Sequence, residues 1–234
     1  MAQQAHADSS VTATITRRER YKRPFDLVVL TVAHVLLAPL WLALWICIPV
    51  IIWLEDRGPI FYRQHRMGKG GRVFPVLKFR TMVVNADRIG PAWTVEHDRR
   101  VTRIGRILRR TALDELPQVL SMWKGDLGLV GPRALAAEEH RSLEAVIPEF
   151  AQRLQVRPGL TGLAQVYNLT DAPETKLEYD LKYIEHMGPL LDLKLLTISV
   201  FNTIFVKWDR RGGKAKHKGL LESKPGDTTR PGKE

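Results

Sequence analysis

Between Leu27 and Leu54 the chain runs for 28 residues without Asp, Glu, Lys or Arg, and His34 is the one histidine there. About 20 apolar residues cross a bilayer core, so a run of this length cannot be an ordinary core helix of a small soluble domain. A single spanning helix is one reading. Pro39 argues for another, because a mid-run proline removes a backbone donor and clashes with the preceding turn. It divides the run into arms of about 14 residues, each ~21 Å long, short of a ~30 Å hydrocarbon core. Pro49 weakens the second arm further.

The flanks point the same way. Arg17, Arg18, Arg20, Lys22 and Arg23 precede the run, and Arg57, Arg63, Arg66, Lys69 and Arg72 follow it. Basic clusters favour the cytoplasmic side, and a re-entrant hairpin keeps both there whereas a spanning helix exports one. Trp41, Trp45 and Trp53 suit the headgroup region. The hairpin is the favoured expectation, with the spanning helix left open.

The net charge is +11 with an isoelectric point near 10.0, which implies anionic partners. Cys47 is the only cysteine, so no intrachain disulfide or cysteine metal site forms, as suits a reducing compartment. No nucleic-acid-binding module is recognisable, and the apolar run has no use in one.

The sequence predicts an α+β, mostly helical fold. Residues 1–20 read as a disordered arm, 21–55 as the re-entrant hairpin, 56–206 as a cytoplasmic catalytic domain and 207–234 as a basic flexible tail. Residues 58–82 predict a β-hairpin around the turn Met67-Gly68-Lys69-Gly70-Gly71, with Pro75 confining its strand to an edge or bulge. From Asp98 to Arg110, Val101, Ile104 and Leu108 recur at helical spacing beside a stripe of Arg99, Arg103, Arg106 and Arg110. That stripe fits a solvated face or an interfacial helix on anionic headgroups. Further helices are expected over 111–123, 138–155 and 174–187, with an interface-lying helix over 190–206 and a turn at Arg157–Gly162.

Asp114-Glu115 is the carboxylate pair of interest. Thr111 and Asp114 fit a capping box, which would make the pair structural. The alternative rests on neighbours: Arg109 and Arg110 upstream, then Val130-Gly131-Pro132-Arg133 and Arg157-Pro158-Gly159, where turn amides and arginines can hold phosphate oxygens.

The chain resembles the monotopic bacterial phosphoglycosyl transferases from about Lys22 to Val206. The resemblance is carried by Lys22-Arg23-Pro24-Phe25-Asp26, Gly58-Pro59-Ile60-Phe61-Tyr62-Arg63-Gln64, Lys78-Phe79-Arg80-Thr81-Met82, Leu113-Asp114-Glu115-Leu116-Pro117-Gln118, the stretch from Gly125 to Arg133, Arg157-Pro158-Gly159-Leu160-Thr161-Gly162, and Tyr179-Asp180-Leu181-Lys182-Tyr183-Ile184. Any one of these is weak, but their order and spacing are specific. The resemblance implies transfer of a phosphosugar from a nucleoside-diphosphate sugar, a UDP-sugar by the family's habit, to polyprenyl phosphate. It makes Asp114 the nucleophile and Glu115 a catalytic ligand of Mg²⁺. It makes Arg109 and Arg133 phosphate-binding, and it lines the site with Lys78, Arg80, Arg157, Gly159 and Thr161. It implies a monotopic protein at the cytoplasmic face of the bacterial inner membrane, in contact with anionic lipids, and leaves a homodimer open. For Lys22, Arg23 and Asp26, anchoring or pairing within the fold is the expected role. Three departures stand out: Ala38-Pro39 replaces the usual Ser-Pro at the hairpin break, Leu127-Gly128 replaces Met-Ser, and Ala134 replaces a proline. The competing function is a non-enzymatic basic membrane adaptor.

Overall fold

The computed structural model describes Ile15, residues 18–90, 98–168, Thr170 and residues 172–205. The basic tail and most of the expected N-terminal arm lie outside the described residues. The end of that arm is not loose: the Glu19 carboxylate accepts the Arg157 backbone N–H at 3.0 Å and pairs with Lys69.

The apolar run forms two helices, α1 (Lys22–Leu36) and α2 (Ala38–Asp56), joined at Leu37. The break falls two residues before Pro39, which sits in the first turn of α2, where a missing N–H has no intrahelical use. Inside a continuous helix Pro39 would remove an i→i−4 hydrogen bond and clash with the carbonyl four residues back, so α1 stops and a new helix begins with Pro39 in its first turn. The arms are therefore 15 and 19 residues long, and Pro49 lies inside α2 without ending it. This corrects the expectation of two equal arms too short to cross a bilayer. By length and composition alone α2, at a mean hydropathy of 1.9, could cross one.

The two arms nevertheless touch across the break. His34 and Trp41 stack with ring centroids 4.5 Å apart and planes 3° from parallel. Side chains seven residues apart on a straight helix are ~10.5 Å apart along its axis, so only a sharp bend brings these rings together. Both ends of the bent segment rest on the same folded body. On α1, Lys22, Asp26 and Leu30 are buried at four-residue spacing; on α2, Ile48 and Ile52 pack against Phe79 and Leu108. Between these ends Val35, Leu36, Leu40 and Leu42 are exposed.

The base of α1 is tied by polar contacts, so pairing within the fold is the role of Lys22, Arg23 and Asp26. Lys22 Nζ lies 2.7 Å from Asp192 Oδ2 with neither side chain exposed. Tyr21 and Tyr183 hydroxyls donate to the same carboxylate at 2.8 and 2.7 Å. Arg23 donates to the carbonyls of Met122 and Trp123, and Asp26 accepts the Leu129 N–H at 3.3 Å.

The expected β-hairpin is present as β1 (Phe61–Met67) and β2 (Val73–Phe79), antiparallel from Phe61↔Phe79 to Met67↔Val73. A short helix α3 (Ala86–Ile89) precedes α4 (Arg103–Arg110), whose N-cap Thr102 accepts the Gly105 N–H at 2.9 Å. Glu55 at the end of α2 also accepts from the first amides of α4, at 2.8 Å from Arg103 N. The helix expected over 111–123 is a 3₁₀ segment, Leu113–Gln118, running into α5 (Val119–Lys124). The helix expected over 138–155 breaks before Pro148 into α6 (Ala137–Val146) and a 3₁₀ segment, Pro148–Gln155.

Arg157–Gly162 is not simply a turn. Gly159–Thr161 forms β4, which pairs in parallel with β3 (Gly128–Val130). A Cβ at Gly159 would sit 2.1 Å from Gly131 N, so only glycine allows these backbones to meet. The chain closes with α7 (Leu163–Tyr167), α8 (Pro173–His186) and α9 (Pro189–Ile204). The main core gathers Leu30, Phe74, Met122, Val130, Tyr183 and Leu195 from across these elements.

Candidate active site

Asp114 and Glu115 open the 3₁₀ segment directly after Ala112, which adopts a left-handed conformation at φ 56°. An alanine there is strained, and such strain persists only where surroundings impose it. Thr111 does not cap this segment. Its hydroxyl donates back to the Ile107 and Leu108 carbonyls, so the capping-box reading of Thr111 and Asp114 fails.

β2 packs across the 3₁₀ segment and delivers Lys78, whose Nζ donates to Glu115 Oε1 at 3.0 Å. Arg133, following the β3 turn, donates from Nη2 to the same oxygen at 2.6 Å. Burial pushes the Glu115 carboxyl up, but Arg133 and Lys78 outweigh it and hold the group well below the usual carboxylate range. Asp114 is the opposite case. Burial raises its pKa, the pull of Lys78 offsets this only in part, and Glu115 adds repulsion. Among the described residues the Asp114 carboxylate accepts no hydrogen bond. Adjacent carboxylates thus differ: one is locked between two cations and the other is left available.

Arg109 donates from Nε to the Thr81 hydroxyl at 2.8 Å, and its charge acts on Asp114. Arg66 was legible only as part of a basic flank, yet it is a fourth cation of this cluster. It is buried, its pKa is lowered to about 10 mainly by that burial, and its charge bears on both carboxylates. Its Nη1 donates to the Ala134 carbonyl at 2.6 Å. Four cations around two carboxylates leave a positive surplus suited to a diphosphate.

The other expected site residues make contacts of their own. Arg80 is buried and pairs with Asp56 at the end of α2, bracing the apolar segment against β2. The Thr161 hydroxyl bonds Ser199 on α9. Gly159 shapes the strand beside Arg133, to which it is bridged. The Arg157 side chain lines a separate cavity of about 200 Å³ with Lys69, Arg72 and Asp126.

The family model for the bacterial sugar transferases matches residues 17–206. The chain belongs to that family. It is an enzyme of the phosphoglycosyl transferase class. This transferase is 43% identical over 185 residues to the UDP-glucose:undecaprenyl-phosphate glucose-1-phosphate transferase of Caulobacter vibrioides, covering 76% of this chain and 68% of the relative. It is 37% identical over 194 residues to the UDP-N-acetylgalactosamine-undecaprenyl-phosphate N-acetylgalactosaminephosphotransferase of Aeromonas hydrophila, covering 81% of this chain but only 45% of that protein. The exopolysaccharide production protein PSS of Rhizobium leguminosarum is 37% identical over 202 residues, which cover 82% of this chain and 97% of that one.

Among the described residues no third His, Cys, Asp or Glu joins Asp114 and Glu115 in a metal-binding group. The donors that are present still fit Mg²⁺. Among the described residues both side-chain contacts of Glu115 fall on Oε1 and the Asp114 carboxylate accepts no hydrogen bond, and hard carboxylate oxygens supplemented by substrate phosphates are what this ion takes.

Proposed function

We propose that this transferase moves a phosphosugar from a UDP-sugar to polyprenyl phosphate, releasing UMP, through a covalent intermediate on Asp114. The observation that carries the reading is the contrast within the carboxylate pair. Glu115 is bound by Lys78 and Arg133, whereas Asp114 lies beside them with no hydrogen bond to its carboxylate among the described residues.

An Asp114 oxygen attacks the phosphorus that bears the sugar. The bond from that phosphorus to the bridging oxygen breaks, UMP departs, and a phosphosugar-aspartyl acyl phosphate, a mixed anhydride, remains. A phosphate oxygen of the lipid then attacks the same phosphorus. The bond to Asp114 breaks, its carboxylate is restored, and the polyprenyl-diphosphate-sugar leaves. Arg133, Lys78 and Arg109 stabilise the phosphoryl oxygens as charge shifts. Glu115 orients Arg133 and Lys78 and, with Asp114, would hold Mg²⁺, which when bound neutralises diphosphate charge.

The acceptor explains the apolar segment. α1 and α2 enter the cytoplasmic leaflet as a re-entrant hairpin, with both ends held on the catalytic body. The bend at Leu37, the stacked His34 and Trp41, and the basic residues on both flanks support this topology. α9, with Leu190, Leu193, Val200 and Phe201 exposed, lies along the interface. The product initiates a bacterial surface glycan.

Incubation with radiolabelled UDP-sugar and no lipid should label the chain, and polyprenyl phosphate should then remove the label into lipid. Labelling that persists in Asp114→Asn would overturn the assignment of the nucleophile. For topology, Ser10→Cys in a Cys47→Ser background should resist a membrane-impermeant thiol reagent in intact cells, and reaction there would refute the hairpin.

A further inference from the structure

Arg153 and Asp180 form an ion pair with side chains 2% and 1% exposed, away from the carboxylate pair. Such a pair is a poor source of stability, because desolvation offsets much of its attraction. Its geometry suggests another use. Arg153, in the 3₁₀ segment Pro148–Gln155, donates from Nε to Asp180 Oδ2 of α8 at 2.8 Å. The same guanidinium lies over the Phe150 ring, 5.0 Å from its centroid. Fixed by carboxylate and ring, it donates from Nη2 to the backbone carbonyl of Arg133 at 2.8 Å.

That carbonyl is one of a pinned series. Pro132 O accepts Gly159 N at 3.0 Å, Ala134 O accepts Arg66 Nη1 at 2.6 Å, and Leu135 O accepts Met67 N at 3.0 Å. The segment carrying Arg133 is thereby immobilised residue by residue, although Gly131 stands at its start and β3 ends at Val130. Only at Arg133 itself does a side chain from a remote helical layer supply the donor. Its guanidinium, at the end of a long side chain, must stay within hydrogen-bond reach of Glu115 Oε1 and of a bound phosphate.

We propose that the Arg153–Asp180 pair is a positioning device: it holds the Arg133 backbone so that the Arg133 guanidinium meets the donor's diphosphate. The proposal rests on the phosphate-binding role given to Arg133 above. Neither residue touches substrate. Misplacing a binding group by about 1 Å can cost ~10²-fold in rate, which sets the expected scale.

The test is a double-mutant cycle. Arg153→Met with Asp180→Leu removes both buried charges together, so neither is stranded. Four proteins are compared: wild type, Arg133→Gln, the Arg153→Met/Asp180→Leu variant, and the triple variant. UDP affinity is measured by calorimetry and UMP release by a coupled assay. With an unchanged melting profile, the paired variant should bind UDP about tenfold or more weakly and release UMP up to ~10²-fold more slowly. In the Arg133→Gln background the same two changes should alter either quantity less than about twofold, because the guanidinium they position is gone. Equal losses in both backgrounds, or no loss in either, would overturn the proposal. Should the paired variant fail to fold, Arg153→Lys keeps a cation for Asp180 without the planar fork and should show the same dependence on Arg133. A wild-type chain that neither binds UDP nor releases UMP defeats the phosphate-site reading itself. An active wild type with additive losses defeats the positioning role alone.

Discussion

Replacing Lys78 with methionine should move the pH dependence of this enzyme in a direction fixed by its neighbours. Burial raises the Asp114 pKa, and Lys78 is the strongest of the cations opposing that rise. Lys78 is itself held down by burial and pulled up by Glu115, whose Oε1 lies 3.0 Å from Nζ. A nearby opposite charge lowers a carboxylate pKa, so its removal lets the Asp114 pKa rise further. In the proposed mechanism only the ionised Asp114 attacks phosphorus. Log kcat/KM for UMP release therefore climbs with pH until Asp114 is deprotonated, and in Lys78→Met that ascending limb should move to higher pH. Glu115 keeps its 2.6 Å bond to Arg133 in this variant, so the site retains its anchor. The plateau should also fall, by roughly 10²–10³-fold if Lys78 contacts a phosphoryl oxygen in the transition state. Initial rates across a pH series, with melting temperature recorded at each point, measure both effects. An ascending limb that stays in place, or moves to lower pH, would refute the assigned coupling between Lys78 and Asp114.

Arg133→Gln should lower kcat/KM by about 10²–10³-fold in the same assay, and Arg133→Lys should restore little because it lacks the bidentate fork. Breaking the buried Lys22–Asp192 pair with Lys22→Met should destabilise the protein by about 3–5 kcal/mol, whereas Lys22→Met with Asp192→Asn, which removes the stranded charge but keeps an acceptor for the Tyr21 and Tyr183 hydroxyls, should recover part of that loss in thermal melts. Gly159→Ala should lower the melting temperature sharply or abolish folding, since the new Cβ would lie 2.1 Å from Gly131 N and 2.4 Å from the Val130 carbonyl carbon.

Local patterns made the scaffold readable. Apolar segments on either side of the Gly-rich turn Met67–Gly71 specify the β-hairpin, and the apolar periodicity before Arg110 specifies α4. The break in the apolar run was also legible, but it falls at Leu37 because a proline is accommodated in the first turn of a helix, where its missing N–H costs nothing, rather than at the break itself. Asp114, Glu115, Lys78, Arg109 and Arg133 converge as the motif series implied. Arg80, Arg157 and Thr161 share those motifs, and their contacts are with other groups: Arg80 pairs with Asp56, Thr161 bonds Ser199, and Arg157 lines a cavity with Lys69, Arg72 and Asp126. A motif records that residues matter together, not which way each points. Arg66 and Arg153 escaped notice for the converse reason. Their partners, the Ala134 and Arg133 carbonyls and Asp180, lie 20 to 68 residues away, and no periodicity links such positions.

The central claim is that Asp114 carries the phosphosugar. Rapid-quench measurement of UMP, with UDP-sugar present and polyprenyl phosphate withheld, tests it most directly. The account predicts a burst approaching one UMP per active chain, a matching mass increment on the peptide containing Asp114, and neither in Asp114→Asn. UMP release only when the lipid is added, with no modified peptide at any time, would contradict it and indicate direct transfer from donor to lipid.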